Sequence, residues 1–364
     1  MTVSGSNPSA RWADGVPEHR DLHSYLKALP KAELHVHLEG SLSAQTLLRL
    51  ADRNKLRLPF STPEQFQPCY RYGAFRDFAN MLLLGVNCLR RPEDFHEAIV
   101  DLCAALLDQN VRYAEVTWTP QFYLNRGFPL DVILDAMQQA SQQAGMTRGL
   151  QLRWIPDLVR SYPGPAGLVT RWVSSPAARA KGVVALGLGG PEAGFPASGF
   201  AAHFRNARAL GLPANPHAGE GMGPESVRET IDQLKPSRLG HGVRASEDNE
   251  LVALLARRGL ALEVCLTSNI KLNVYPTYAA HPAKRLLDAG CNLTLNSDDP
   301  VLFQTTLTDE YFHAITSAGF TLSDIRRVIL NAVRSSYMPD AAKTALLREF
   351  EEDMARLGPA PKVA

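Results

Sequence analysis

Long hydrophobic runs are missing from this chain. No stretch of 18 apolar residues occurs among its 364, so no segment has the length to cross a bilayer as a helix. The opening, MTVSGSNPSARWADGVPEHR, lacks the apolar centre that a secretory signal requires. We read residues 1–20 as a flexible tail and residues 21–364 as a single domain. Cysteine is scarce. Cys69, Cys88, Cys103, Cys265 and Cys291 form an odd, scattered set without a C-x-x-C pair, which excludes a disulfide scaffold and points to reduced thiols in a cytoplasm. Charge of one sign is also lacking: Lys+Arg 38 stand against Asp+Glu 37, for a net charge of +1. With no long basic run, the chain has no electrostatic footprint for nucleic acid or for an anionic membrane. The glycine-rich stretch GVVALGLGG (182–190) runs into Pro191 and Glu192, so it lacks the third glycine of a dinucleotide fingerprint.

What is present is a rhythm. Short apolar runs recur at 32–38, 111–118, 150–156, 182–188, 212–218, 237–243, 261–267 and 292–297, most of them separated by helical patterns such as PLDVILDAMQQASQQAG and NELVALLARRG. Eight strands alternating with helices predict an α/β fold, a (β/α)8 TIM barrel. About seventy residues separate the first two strands, which predicts a helical insertion after strand 1. The stretches 321–337 and 341–357 predict extra C-terminal helices. Met81 to Leu84 are expected in the insertion's own core, Glu115 and Thr117 in a polar barrel layer, and His281 at the start of a barrel helix. His19 and His23, four residues apart, are expected to be exposed in or beside the tail.

The chemistry begins at KAELHVHLEGSL (31–42). Along a strand, residues two apart share a face, so His35 and His37 converge while Leu34, Val36 and Leu38 turn away. In barrels of this class the site forms at the C-terminal strand ends. There the first strand delivers His35, His37 and Glu39, and the fifth delivers His217 and Glu220. The sixth delivers His241, and the eighth Asp298 and Asp299. Three histidines with an aspartate form a mixed N/O set that suits zinc best; iron(II), cobalt and manganese are also compatible. The fourth strand offers no lysine or carboxylate, so one Zn2+ per chain is expected. Zinc lowers the pKa of bound water from 15.7 to about 7, about 12 kcal/mol of differential stabilisation at 1.36 kcal/mol per unit. Hydrolysis is the chemistry that follows.

Together, His35-x-His37, HAGE (217–220), the histidine of GHG at 241 and SDDP (297–300) resemble the adenosine deaminase family of the amidohydrolase superfamily. The resemblance runs from about residue 30 to 350 and includes LEVCLTSN (262–269). It implies that His35, His37, His217 and Asp298 hold the zinc. Glu220 would protonate N1 of a 6-aminopurine, and His241 would orient the attacking water and take up its proton. Asp299 would accept a hydrogen bond from the attacking oxygen or contact the N7 side, and the Gly190 N–H would reach N3. Glu39 stands where aspartate is usual and would read the substrate. The implied activity is hydrolytic deamination of a purine nucleoside or base, foremost adenosine or 2′-deoxyadenosine. Glu39 also resembles adenine deaminases. QNVRYAEVTWTP (109–120) and GLGGPE (187–192) resemble a branch acting on aminodeoxyfutalosine in menaquinone synthesis. A cytidine-deaminase-type zinc site is excluded, because it also requires P-C-x-x-C, which is absent.

Overall fold

The computed structural model describes residues 17–73, 75–124 and 126–358. Eight strands form one sheet in the order β1 to β8, each pairing in parallel with the next. They are β1 (Lys31–His37), β2 (Val111–Trp118), β3 (Gln151–Val159), β4 (Leu186–Gly189), β5 (Ala214–Ala218), β6 (Arg238–His241), β7 (Ala261–Val264) and β8 (Leu293–Leu295). Helices on the outer face cover the sheet, so outward residues such as Leu34, Val36 and Leu38 are fully buried. Closure is made just past the end of β8. There the His37 N–H donates to the Asp298 carbonyl at 2.8 Å, and the Asp298 N–H donates to the His35 carbonyl at 3.0 Å. The seam of the barrel thus runs through three of the sequence-predicted metal ligands.

All eight strands form, but several stop early. β6 ends where His241 and Gly242 take left-handed φ values of 57° and 71°. β7 gives way at once to a helix, Leu266–Lys271. β3 does the opposite and runs on to Val159.

Helix α1 (Pro17–Ala28) precedes the barrel. Residues 17–20, assigned to the tail, are therefore helical, while residues 1–16 and the His19 side chain lie outside the described ones. His23 is not exposed: its Nε2 lies 2.9 Å from Asp309 Oδ1.

The insertion after β1 contains α2 (Ala44–Arg53), α3 (Phe75–Cys88) and α4 (Pro92–Asp108), with 3-10 turns at Glu39–Ser41 and Pro63–Tyr70. α2 starts where the Ser43 hydroxyl accepts the Thr46 N–H at 3.0 Å, and it buries Thr46, Leu47, Leu50 and Ala51 along one face. α3 lies over the barrel mouth. Met81, Leu82 and Leu84 pack against the core as expected, Leu82 also lining the cavity, whereas Leu83 lines the cavity and is exposed. The two expected C-terminal helices form at Leu322–Ser335 and Asp340–Arg356, preceded by Pro300–Phe303 and Leu307–Ser317. No described helix is long and apolar enough to cross a membrane.

Inside the barrel the polar layer is built on Arg238, whose guanidinium pairs with Glu115 and Glu263 and sits 3.9 Å from the Tyr337 ring centroid. Glu115, expected in such a layer, also accepts from the Tyr113 hydroxyl at 2.7 Å and from the Tyr337 N–H at 2.6 Å. Glu263 passes this network upward to His35.

Candidate metal centre and purine site

The Nε2 atoms of His35, His37 and His217 form a triangle with edges of 3.1, 3.2 and 3.3 Å. Asp298 Oδ1 lies 3.4 Å from both His35 Nε2 and His37 Nε2. A regular tetrahedron with metal–ligand bonds of about 2.0–2.1 Å has edges of about 3.3–3.4 Å. These five edges match that shape.

Their outer nitrogens explain why. His217 Nδ1 must donate to the Leu188 carbonyl at 2.9 Å, so in neutral His217 Nε2 carries a lone pair. His35 Nδ1 lies 2.9 Å from Glu263 Oε2. Burial alone would raise the Glu263 pKa, but Arg238 and His35 hold it down at about 2, so it is a carboxylate and His35 Nδ1 is the donor. For His35 and His217, a converging lone pair fixed by a hydrogen bond behind the ring is the pattern of histidine metal ligands. Burial would disfavour a charged His35, yet contacts with Asp298 and Glu263 push its pKa well up. The carboxylates favour positive charge at this point, which a divalent cation would also supply.

His241 stands beside the cluster. Its Nε2 lies 3.7 Å from Glu220 Oε1 and 3.9 Å from Asp298 Oδ2, and its Nδ1 is buried with no hydrogen-bond partner. Burial lowers its pKa to about 4, so at neutral pH it is an acceptor. Glu220 has the opposite setting: burial, then the charge of Asp298, pushes it up to about 8. Two neighbouring groups with pKa values forced apart in this way divide acid and base roles between them.

Asp298 adopts a left-handed φ of 64°, a conformation that costs about 1–3 kcal/mol and concentrates at functional sites. That turn lets both Asp298 and Asp299 line one cavity, where an extended chain would send them to opposite sides. Asp299 makes no side-chain cap to the helix it precedes. Burial, then Asp298, push its pKa well up. A Cβ at Gly40 would lie 1.8 Å from Asp299 Oδ1, so Gly40→Ala must displace that carboxyl. We expect kcat/KM to fall by about 10²-fold with metal content unchanged. Near-normal kcat/KM would show that the position of Asp299 is not critical.

The cavity holds about 240 Å³, and His37, His217, Glu220, His241, Asp298, Asp299 and Gly190 all line it. Gly190 has a φ of 88°, open to glycine at no steric cost. The lining also has a large apolar part: Phe75, Phe78, Leu82, Leu83, Phe122 and Leu272. A larger cavity of about 460 Å³, lined by His23, Glu33 and Gln109 among others, contains none of the predicted site residues. Chemistry, not size, selects the smaller one. Of the predicted residues, His35 and Glu39 do not line the cavity; His35 reaches the metal cluster from behind it, whereas Glu39 has other partners. Its Oε1 instead accepts the Thr119 N–H at 2.8 Å and the Tyr123 hydroxyl at 3.2 Å.

Three residues escaped the sequence reading. Glu192 gathers the N–H groups of Gly219, Glu220, Gly221 and Met222 at 2.9–3.2 Å and also pairs with the Ser226 hydroxyl. It thereby sets the loop carrying Glu220. Its signal was the final letter of GLGGPE. Glu263 was the one charged residue in an apolar strand. Asp157 lines the cavity floor and fell just beyond the expected end of β3. Its carboxyl occupies the space that side chains at Gly187 and Gly189 would need.

Residues 30–353 match the family model described as adenosine deaminase. An aminodeoxyfutalosine deaminase from Streptomyces avermitilis is 37% identical over 337 residues, covering 91% of this chain and 93% of that protein. An adenine deaminase from Cupriavidus necator is 34% identical over 330 residues, covering 91% and 93%. A solved amidohydrolase from Burkholderia ambifaria, with bound Zn, superposes with a TM-score of 0.84 at 27% identity, over 94% of this chain and 96% of that one.

Proposed function

The chain belongs to the adenosine deaminase family, and within it we propose a zinc-dependent hydrolytic deaminase of a 5′-substituted adenosine, of the aminodeoxyfutalosine class. Water adds at C6, the C6–N bond breaks, ammonia leaves and a 6-oxopurine remains. Adenosine and 2′-deoxyadenosine, foremost in the sequence reading, give way to this substrate because the relatives reported above act on aminodeoxyfutalosine and adenine. The observation that carries the choice is the polarity of the cavity. Beside its ionisable groups it is lined by Phe75, Phe78, Leu82, Leu83, Phe122 and Leu272, of which Phe75 and Leu83 are exposed, and such an apolar rim suits a group carried beyond the purine.

His35, His37, His217 and Asp298 would hold one zinc ion, which supplies hydroxide at neutral pH. Glu220 enters protonated and donates to N1, drawing electron density from C6. His241, neutral at pH 7, accepts the proton of the attacking water. Asp299 accepts a hydrogen bond on the N7 side, and the Gly190 N–H donates to N3. Glu192 fixes the loop that aims Glu220, and Glu263 fixes His35.

The test compares kcat/KM for ammonia release from aminodeoxyfutalosine, adenosine and adenine on one zinc-loaded preparation. We expect aminodeoxyfutalosine to exceed the other two by about tenfold or more, a difference of about 1.4 kcal/mol in transition-state binding. If adenine is fastest, the chain is an adenine deaminase with the same catalytic groups.

A further inference from the structure

With Glu220 at N1 and Gly190 at N3, the orientation proposed above fixes the rest of the ring. Passing from β5 to β4 moves along the purine edge from N1 to N3. The next ring positions are C4 and N9, and the next strand ends are those of β3 and β2. The cavity residues just past those two ends are Ser161 and Thr119. N9 carries the sugar.

These two residues differ from everything around them. Once the carboxyl groups and imidazoles are set aside, they are the only lining residues whose side chains are able to hydrogen-bond; the others are glycine, alanine, proline or larger apolar residues. Neither hydroxyl has a hydrogen-bond partner among the described residues. Thr119 is engaged only through its main chain, donating its N–H to Glu39 Oε1 at 2.8 Å and accepting from the Phe122 N–H at 3.3 Å. Thr119 is buried and Ser161 is exposed at the rim, so the pair spans the depth that a sugar would occupy. Both hydroxyls lie in the cavity lining without a partner among the described residues, so their hydrogen-bonding capacity is free for a ligand.

Glu39 lies directly behind this wall. It is buried, stands outside the cavity lining, and holds the chain after β2 through Thr119 and Tyr123. We infer that Thr119 and Ser161 form the sugar-reading wall of the site, with Thr119 Oγ1 bonded to a sugar hydroxyl, and that Glu39 is a positioning residue acting through Thr119. This inference rests on the nucleoside reading given above. It replaces direct reading of the substrate by Glu39 with reading by the residue that Glu39 holds.

The test uses Thr119→Val, which keeps the shape and removes the hydroxyl, with Ser161→Ala and Glu39→Gln beside it. Each is assayed with 5′-methylthioadenosine, adenosine, 2′-deoxyadenosine, 3′-deoxyadenosine and adenine, the last as the sugar-free reference. Thr119→Val should lower kcat/KM for the ribonucleosides by about tenfold, chiefly through KM. It should leave adenine unchanged and erase the wild-type penalty for the missing 2′- or 3′-hydroxyl. Ser161→Ala should do the same more weakly. Glu39→Gln should reproduce the Thr119→Val pattern, and in the double variant the two effects should fall short of additive. Equal losses on adenine and nucleosides, or an undiminished deoxy penalty in Thr119→Val, would overturn the inference. Wild-type protein active on adenine and on no nucleoside would overturn the substrate reading and this inference together. Wild type active on nucleosides, with variants that lose no more on nucleosides than on adenine, would overturn this inference alone.

Discussion

Glu220→Gln should cut kcat/KM by about 10²–10⁴-fold, the range for losing a general acid, while the protein still binds its metal and substrate. The amide is nearly isosteric and keeps a donor, but it cannot deliver a proton to N1. Burial and the Asp298 charge push Glu220 up to about 8, so the proton is present below that value and lost as pH rises through it. A bound divalent cation stabilises the carboxylate and moves the limb downward. Wild-type activity should therefore decline on the alkaline side at or below about pH 8, and residual activity in Glu220→Gln should lack that limb. A pH–rate profile on both proteins measures this. An unchanged alkaline limb in the variant would assign the titration to another group.

Stripping the metal should have an effect at least as large. With His35, His37, His217 and Asp298 as its holders, dialysis against a chelator should remove essentially all deamination. Zinc should restore it at one ion per chain. His217→Ala should show the same loss without rescue at that stoichiometry, because it removes both the Nε2 donor and the Nδ1 bond to Leu188. The metal-free protein should also melt earlier. A ligand that binds only the folded state stabilises it by about 2.7 kcal/mol at a hundred times its Kd. Two ions per chain at full activity would contradict the single-metal reading. Asp157 is the residue to inspect in that case, because it brings a carboxyl beside Gly187 and Gly189, where β4 itself offers none.

The parts legible in sequence were those governed by period and spacing. Alternation in LHVHL put His35 and His37 on one face, and the repeat of apolar runs located all eight strands. Local backbone choices were not legible. Nothing in SDDP announces that Asp298 takes a left-handed φ, yet that turn aims both aspartates into one cavity. The expected end of β3 at Pro156 hid Asp157, because proline commonly closes a strand, whereas here the strand continues for three residues. Long-range partners were the least visible. Glu192 reaches a loop 27–30 residues on, and Glu39 holds Thr119 from 80 residues away. Residue type alone does not tell whether a buried carboxylate meets a substrate or a main-chain N–H.

The most direct measurement is a turnover of 5′-methylthioadenosine by zinc-loaded protein in 18O-labelled water, with ammonia and the purine product quantified together. The account predicts one ammonia per product and one solvent oxygen at C6, for wild type and, far more slowly, for Glu220→Gln. An intact 6-amino group in every recovered purine, with no ammonia released, would contradict it.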